Sequence, residues 1–310
     1  MSKQDRYLQT IERISDDEQE HGPVYRFLGT YFGRMLRFCA TNLMFILFNL
    51  PAMALAFIEI FVFLPQISPR FELDAFRSYL SDMGIAAADG TSTSTGVSSW
   101  LYILLIFCVS LFVVGSQMIT IGPFQAGLTY LYRNYARDIP TFIWSDFWSA
   151  TKKNWKQSLQ ASIIAFIISN VILLNIAFYL GGNGRYPMVF ATIFIMALIF
   201  FICIQMFVYP LIVSVDLRLR EIYRNAIIFF LSRLFPSLGI FFLDLLIIVV
   251  IPFFLLFSTY NFGLVLCFFY YLFFAFSFTH YLGTFFAWQQ INRYIVLPMK
   301  MEKEEAEEQA

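Results

Sequence analysis

Asp244 and His280 are the residues of this 310-residue chain whose types could do proton or cation chemistry inside an apolar environment. Asp244 stands among Phe241, Phe242, Leu243, Leu245 and Leu246, and His280 lies 8 residues before Trp288. An ionisable group in such a run is costly to bury, so each needs a reason. The two segments are joined by a short turn at 258–261 and are expected to be neighbours. Helical rise then puts both groups at similar depth, about 9–12 Å from one membrane face. Two uses fit: a proton- or cation-sensitive pair in a transport path, or a buried pair that fixes helix register without transport.

Little else completes a chemistry. His21 is the other histidine, and there is no phosphate-binding Gly-Lys-Ser/Thr loop, no His-Glu-x-x-His and no Gly-x-Ser-x-Gly. Cys39, Cys108, Cys203 and Cys267 lie in or beside different apolar runs, without metal or redox spacing, and read as packing residues. No catalytic residue, metal site or cofactor is expected, and enzyme activity is the least supported class. Glu59, near the outer end of its segment, is expected to reach the headgroups. Asn42, Asn49, Gln117, Gln125, Asn170, Asn175 and Gln205 could line a cavity, although interhelical hydrogen bonds are the commoner use of such amides. Gly29-x-x-x-Gly33 and Gly283-x-x-x-Ala287 permit close helix approach. Pro51, Pro123, Pro210 and Pro252 mark kinks or helix ends.

The elements that must position these groups follow from composition. Hydrophobic residues make up 59% of the chain and charged residues 14%, against roughly 45–50% and 25% in soluble domains. The apolar residues form runs at about 39–64, 101–121, 159–180, 188–215, 238–257 and 262–287, each long enough to span a bilayer. The second run continues past Pro123 to Tyr132 with a more polar face. An all-α polytopic membrane protein of about six transmembrane helices is expected, with a membrane domain over 23–298. Polar tails flank it at 1–22 and 299–310. Of the 21 Lys and Arg residues, 18 fall on one side of this arrangement, which puts both termini in the cytoplasm. Net charge is zero, so nothing points to nucleic acid.

Three basic amphipathic stretches accompany the spans, at 25–38, 144–156 and 218–233, and suggest three hairpin units. In the second, Trp144, Phe147, Trp148, Thr151 and Trp155 share a helical face, with Lys152, Lys153 and Lys156 elsewhere. It is expected to lie along the membrane surface, rings in the headgroups and lysines near lipid phosphates. The outer loop 65–100 is expected to hold a short helix around 71–83 and a flexible Gly-Thr-Ser run at 90–96.

The stretch from Thr120 through Gly122, Pro123 and Gly127 to Arg133, followed by Phe147, Trp148, Lys153, Asn154, Trp155 and Lys156, resembles the YesL-like family of bacterial membrane proteins (domain of unknown function 624). Asn42–Leu43 and Leu50–Pro51 are similar to that family's first helix. In shorter members the Leu-Pro and Thr-Ile-Gly elements lie close together, whereas here an insertion with the outer loop separates them. The resemblance implies a multi-pass protein of the bacterial plasma membrane, associated with carbohydrate uptake, and brings no catalytic residues. Two functions are therefore expected to compete. One is an accessory, scaffold or regulatory role beside a transporter or regulatory subunit. The other is a small-solute transporter or channel using Asp244 and His280.

Overall fold

The computed structural model describes residues 22–67, 72–82, 92–182, 185–258, 262–299 and 301. Among them all regular structure is helical: α1 (Pro23–Gly33), α2 (Met35–Ile67), α3 (Leu73–Asp82), α4 (Ser92–Gly115), α5 (Gly122–Ala136), α6 (Ile143–Leu180), α7 (Arg185–Ser214) and α8 (Leu219–Ser232). Then come α9 (Leu234–Leu245), α10 (Ile251–Ser258), α11 (Gly263–Tyr270) and α12 (Phe276–Ile291), with π-helical turns at Leu246–Val250, Tyr271–Ala275 and Asn292–Val296.

Five helical stretches of the described residues are long and apolar enough to cross a membrane: Met35–Gln66, Ile143–Leu180, Arg185–Ser214, Leu234–Leu255 and Gly263–Met299. The remaining expected span falls on α4, whose described apolar part, Leu101–Gly115, is shorter. The polarity of α6 suits lipid. Ile163, Ile167, Val171, Leu174 and Phe178 form an exposed apolar stripe, while Ser158, Ala161, Ser162, Ala165 and Ser169 are buried. Small residues inside and large apolar ones outside are what helix packing in a bilayer selects, because lipid offers apolar side chains no penalty. The chain is an all-α polytopic membrane protein.

Two side-chain devices hold the bundle together at its π turns. Pro252 has no N–H, so carbonyls one turn earlier lose their helical donor. The hydroxyl of Tyr270 donates to Ile247 O at 2.9 Å and that of Tyr271 to Ile248 O, tying α11 to the first π turn. The second π turn is served by Asn42 of α2. Its Nδ2 lies 2.7 Å from the carbonyl oxygens of both Tyr271 and Leu272, and its Oδ1 accepts the Ser277 N–H at 2.7 Å. One buried amide thus satisfies three backbone groups that the widened turn leaves open.

Several expectations are corrected. The run at 101–121 does not continue as one helix past Pro123; α4 stops at Gly115 and α5 starts at Gly122. The Gly-Thr-Ser run is helical from Ser92, because adding residues to an existing helix is easy once it is nucleated. The 144–156 stretch is no separate surface helix: without Gly or Pro between 143 and 180, it is continuous with its span for 38 residues. Glu59 is buried instead of reaching out, with 7% exposure. Gly29 and Gly33 face open space, so only Gly283, whose Cβ would come 3.1 Å from Met206, makes the close approach. The short helix of the outer loop is present as α3, and the 25–38 and 218–233 stretches form α1 with the start of α2, and α8. The expected polar tails fall almost wholly outside the described residues.

Candidate functional site: a polar layer at a broken helix

The break between α4 and α5 is built by the sequence Ser116–Gln117–Met118–Ile119–Thr120–Ile121. At the end of α4 the Met118 N–H bonds to Val113 O at 3.2 Å and the Gln117 N–H to Val114 O at 3.1 Å. This pair of bonds is the Schellman ending, which requires a left-handed residue between them, usually glycine. Gln117 fills that place with φ 65°. A glutamine there costs roughly 1–2 kcal/mol of backbone strain. The chain then re-enters helix at Gly122–Pro123, where Pro is harmless because first-turn N–H groups lack helical partners.

Side chains from three other helices converge on this break. Asn49 of α2 donates to Phe45 O at 3.0 Å and accepts the Ile121 N–H at 3.1 Å, so it caps the opening of α5. The hydroxyls of Thr120 and Tyr209 of α7 lie 3.4 Å apart. His280 of α12 meets Gln125 Nε2 at 3.0 Å and Gln117 Nε2 at 3.3 Å, both through Nδ1. The tautomer that accepts an amide N–H at Nδ1 carries the ring proton on Nε2. That Nε2 has no hydrogen-bond partner among the described residues, nor do Gln117 Oε1 and Gln125 Oε1. The ring of His280 packs against Phe45, centroids 4.7 Å apart, and is 4% exposed.

Asp244 is not part of this layer. It is half-buried on α9, its Oδ1 has no partner, and among the described residues no hydrogen bond or ion pair joins it to His280. Between the turn at 258–261 and His280 lies the π turn Tyr271–Ala275. One extra residue in such a turn rotates everything after it by about 100° at 3.6 residues per turn. The sequence named Gln117 and Gln125 as polar groups inside the membrane domain, yet nothing in it signalled that they, and not Asp244, are the partners of His280.

The motif residues have structural tasks. A Cβ on Gly122 would lie 2.0 Å from Ser158 O, and one on Gly127 2.3 Å from Thr151 Oγ1 and 2.7 Å from Phe147. At Gly122 helix α5 therefore meets the backbone of α6 and at Gly127 its side chains, as only glycine allows. Arg133, 8% exposed, donates to Val213 O at the end of α7 and to Asn134 Oδ1 at 3.1 Å. Its guanidinium stands 4.6 Å from the Tyr130 ring and 5.9 Å from that of Trp288. It satisfies a carbonyl that α7 cannot pair internally and places positive charge at that helix's negative end. Burial, aided by repulsion from Arg137, pushes its pKa down to about 10, so it stays charged near neutrality.

The aromatic face of α6 is partly turned inward. Phe147 is buried, and Trp144, Phe147 and Trp148 surround Phe48 of α2 at centroid distances of 6.4, 5.1 and 5.8 Å. Trp144 and Trp155 stay exposed, as do Lys152, Lys153 and Lys156.

The family described as protein of unknown function, DUF624, matches residues 91–176. The chain is similar to that family over this segment. The segment covers α4, the break, α5 and α6 almost to its end, so the resemblance to the YesL-like family stands on this unit. The Asn42–Leu43 and Leu50–Pro51 elements lie outside the matched residues. No curated protein and no solved structure matches the chain. Within the matched segment, Pro123 opens α5, and Thr120, Gly122, Gly127 and Arg133 tie it to α6 and α7, whereas Gln117 and Gln125 turn to His280 outside it.

Proposed function

We propose that this protein is an accessory scaffold of the bacterial plasma membrane, serving a carbohydrate-uptake system, and is not itself a conduit. The observation that carries this reading is the closure of α5 on α6 at Gly122 and Gly127, which leaves no gap for a solute between them. The interior amides of Asn42 and Asn49 agree with it, since they are spent on backbone groups: Asn42 on those of a neighbouring helix, Asn49 on Phe45 O of its own helix and the Ile121 N–H. The excess of basic residues at one end supports a cytoplasmic location for that end and for both termini. The link to carbohydrate uptake rests on the resemblance alone. A mild-detergent pull-down with mass spectrometry tests the reading: a transporter or regulatory subunit recovered in stoichiometric amount supports it, and repeated recovery of the chain alone overturns it.

One observation favours a second reading, a small-solute transporter. His280 presents an unpartnered Nε2 beside a broken helix, the kind of backbone irregularity that transporters use to bind substrates and ions. Flux into proteoliposomes that falls in His280→Ala and persists in Asp244→Asn would favour it. Equal flux in empty and protein-containing vesicles would remove it.

A further inference from the structure

The first turns of α6 border a surface depression of about 810 Å³ lined by Trp144, Ser145, Trp148, Ser149 and Lys152. Its chemistry is mixed in a specific way: two indole rings at 5.8 Å, two hydroxyls and one ammonium group. Lys152 makes no ion pair among the described residues, and Lys153 and Lys156 next to it are exposed. Asp146, the acid nearest in sequence, is occupied by the Phe142 N–H at 2.9 Å. Lys152 is the one charged residue lining the depression, and no carboxylate lines it.

One flank of the depression is formed with α2. Trp144 and Trp148 both pack on Phe48, whose neighbours Leu43, Leu47 and Leu50 are exposed on α2. Exposed leucines on a spanning helix need acyl chains to cover them. Exposed leucines on the α2 side and the exposed Lys152, Lys153 and Lys156 on α6 give the depression one apolar and one basic flank, the pairing found where acyl chains give way to headgroups.

We propose that this depression binds the headgroup of an anionic phospholipid. Lys152 neutralises the phosphodiester, the Ser145 and Ser149 hydroxyls donate to its oxygens, and the indoles of Trp144 and Trp148 flank the glycerol.

The test is native mass spectrometry of the delipidated full chain, titrated separately with phosphatidylglycerol and phosphatidylcholine. Wild type is expected to bind phosphatidylglycerol about fivefold more tightly, since a lysine near an anionic surface contributes about fivefold. Lys152→Glu is expected to abolish that preference, and Trp155→Ala, outside the depression, to retain it. If Lys152→Glu does not fold, Lys152→Gln carries the test, with a loss of about fivefold expected. Equal affinity of wild type for the two lipids, or an undiminished preference in either Lys152 variant, overturns the proposal. So does displacement of phosphatidylglycerol by soluble glycerol 3-phosphate at matching concentration, which would make the ligand a free phosphate ester.

Discussion

Gln125 Nε2 lies 3.0 Å from His280 Nδ1 and joins two helices whose residues are 155 apart in sequence. Bonds of this kind in membrane proteins contribute about 0.6 kcal/mol on average and up to about 1.7 kcal/mol. Gln125→Leu and His280→Phe should each destabilise the protein, and the double variant should lose less than their sum. Thermal unfolding of the four proteins in one detergent gives the coupling; strict additivity would mean that the two side chains act independently.

Gly122 and Gly127 should be far less replaceable than Gly29 and Gly33. Gly122→Ala drives a methyl into the backbone of Ser158, which cannot retreat without moving α6, so a loss of about 3 kcal/mol is expected. Gly29→Ala, facing open space, should be neutral or slightly stabilising. Comparing the yields of monodisperse protein from the two variants checks the contrast.

Asn42 should be the most damaging polar residue to remove. Asn42→Leu leaves two carbonyls and one N–H without a partner beside the π turn, at roughly 1–3 kcal/mol each before relaxation. The Ser277 amide should become detectably less protected in hydrogen exchange, and unchanged protection would show that the turn does not depend on Asn42.

Gln117 separates backbone strain from side-chain bonding. Gln117→Gly relieves the left-handed residue by roughly 1 kcal/mol while giving up one bond to His280, so its stability should stay near wild type. Gln117→Ala keeps the strain and loses the bond, and should be the less stable of the pair. A melting temperature for Gln117→Ala above that of Gln117→Gly would contradict this account.

The apolar runs and their lengths were legible because lipid imposes a crude requirement: enough consecutive apolar residues to cross. The motif from Thr120 to Arg133 was legible as a pattern, and its glycines and arginine prove to be packing and capping residues. The partner of His280 was not legible. Which way a side chain faces depends on every residue counted around the helix before it, and a π turn changes that count without leaving a mark in hydropathy. Nor did the amphipathic look of 144–156 reveal its continuity with the following span. Local periodicity describes a face, whereas continuity depends on the absence of a breaker between Ile143 and Leu180.

That continuity has a mechanical meaning. At 1.5 Å per residue α6 is a strut about 57 Å long, with no proline, glycine or π turn along it to absorb bending. A load applied near Trp144 is not dissipated at a hinge: a tilt of about 5° displaces the opposite end near Tyr179 by about 5 Å. Tyr179 stacks on Phe190 and Phe194 of α7, so that lever arm ends on a second helix. One unbroken helix thus joins the aromatic cluster around Phe48 to the stack at Tyr179.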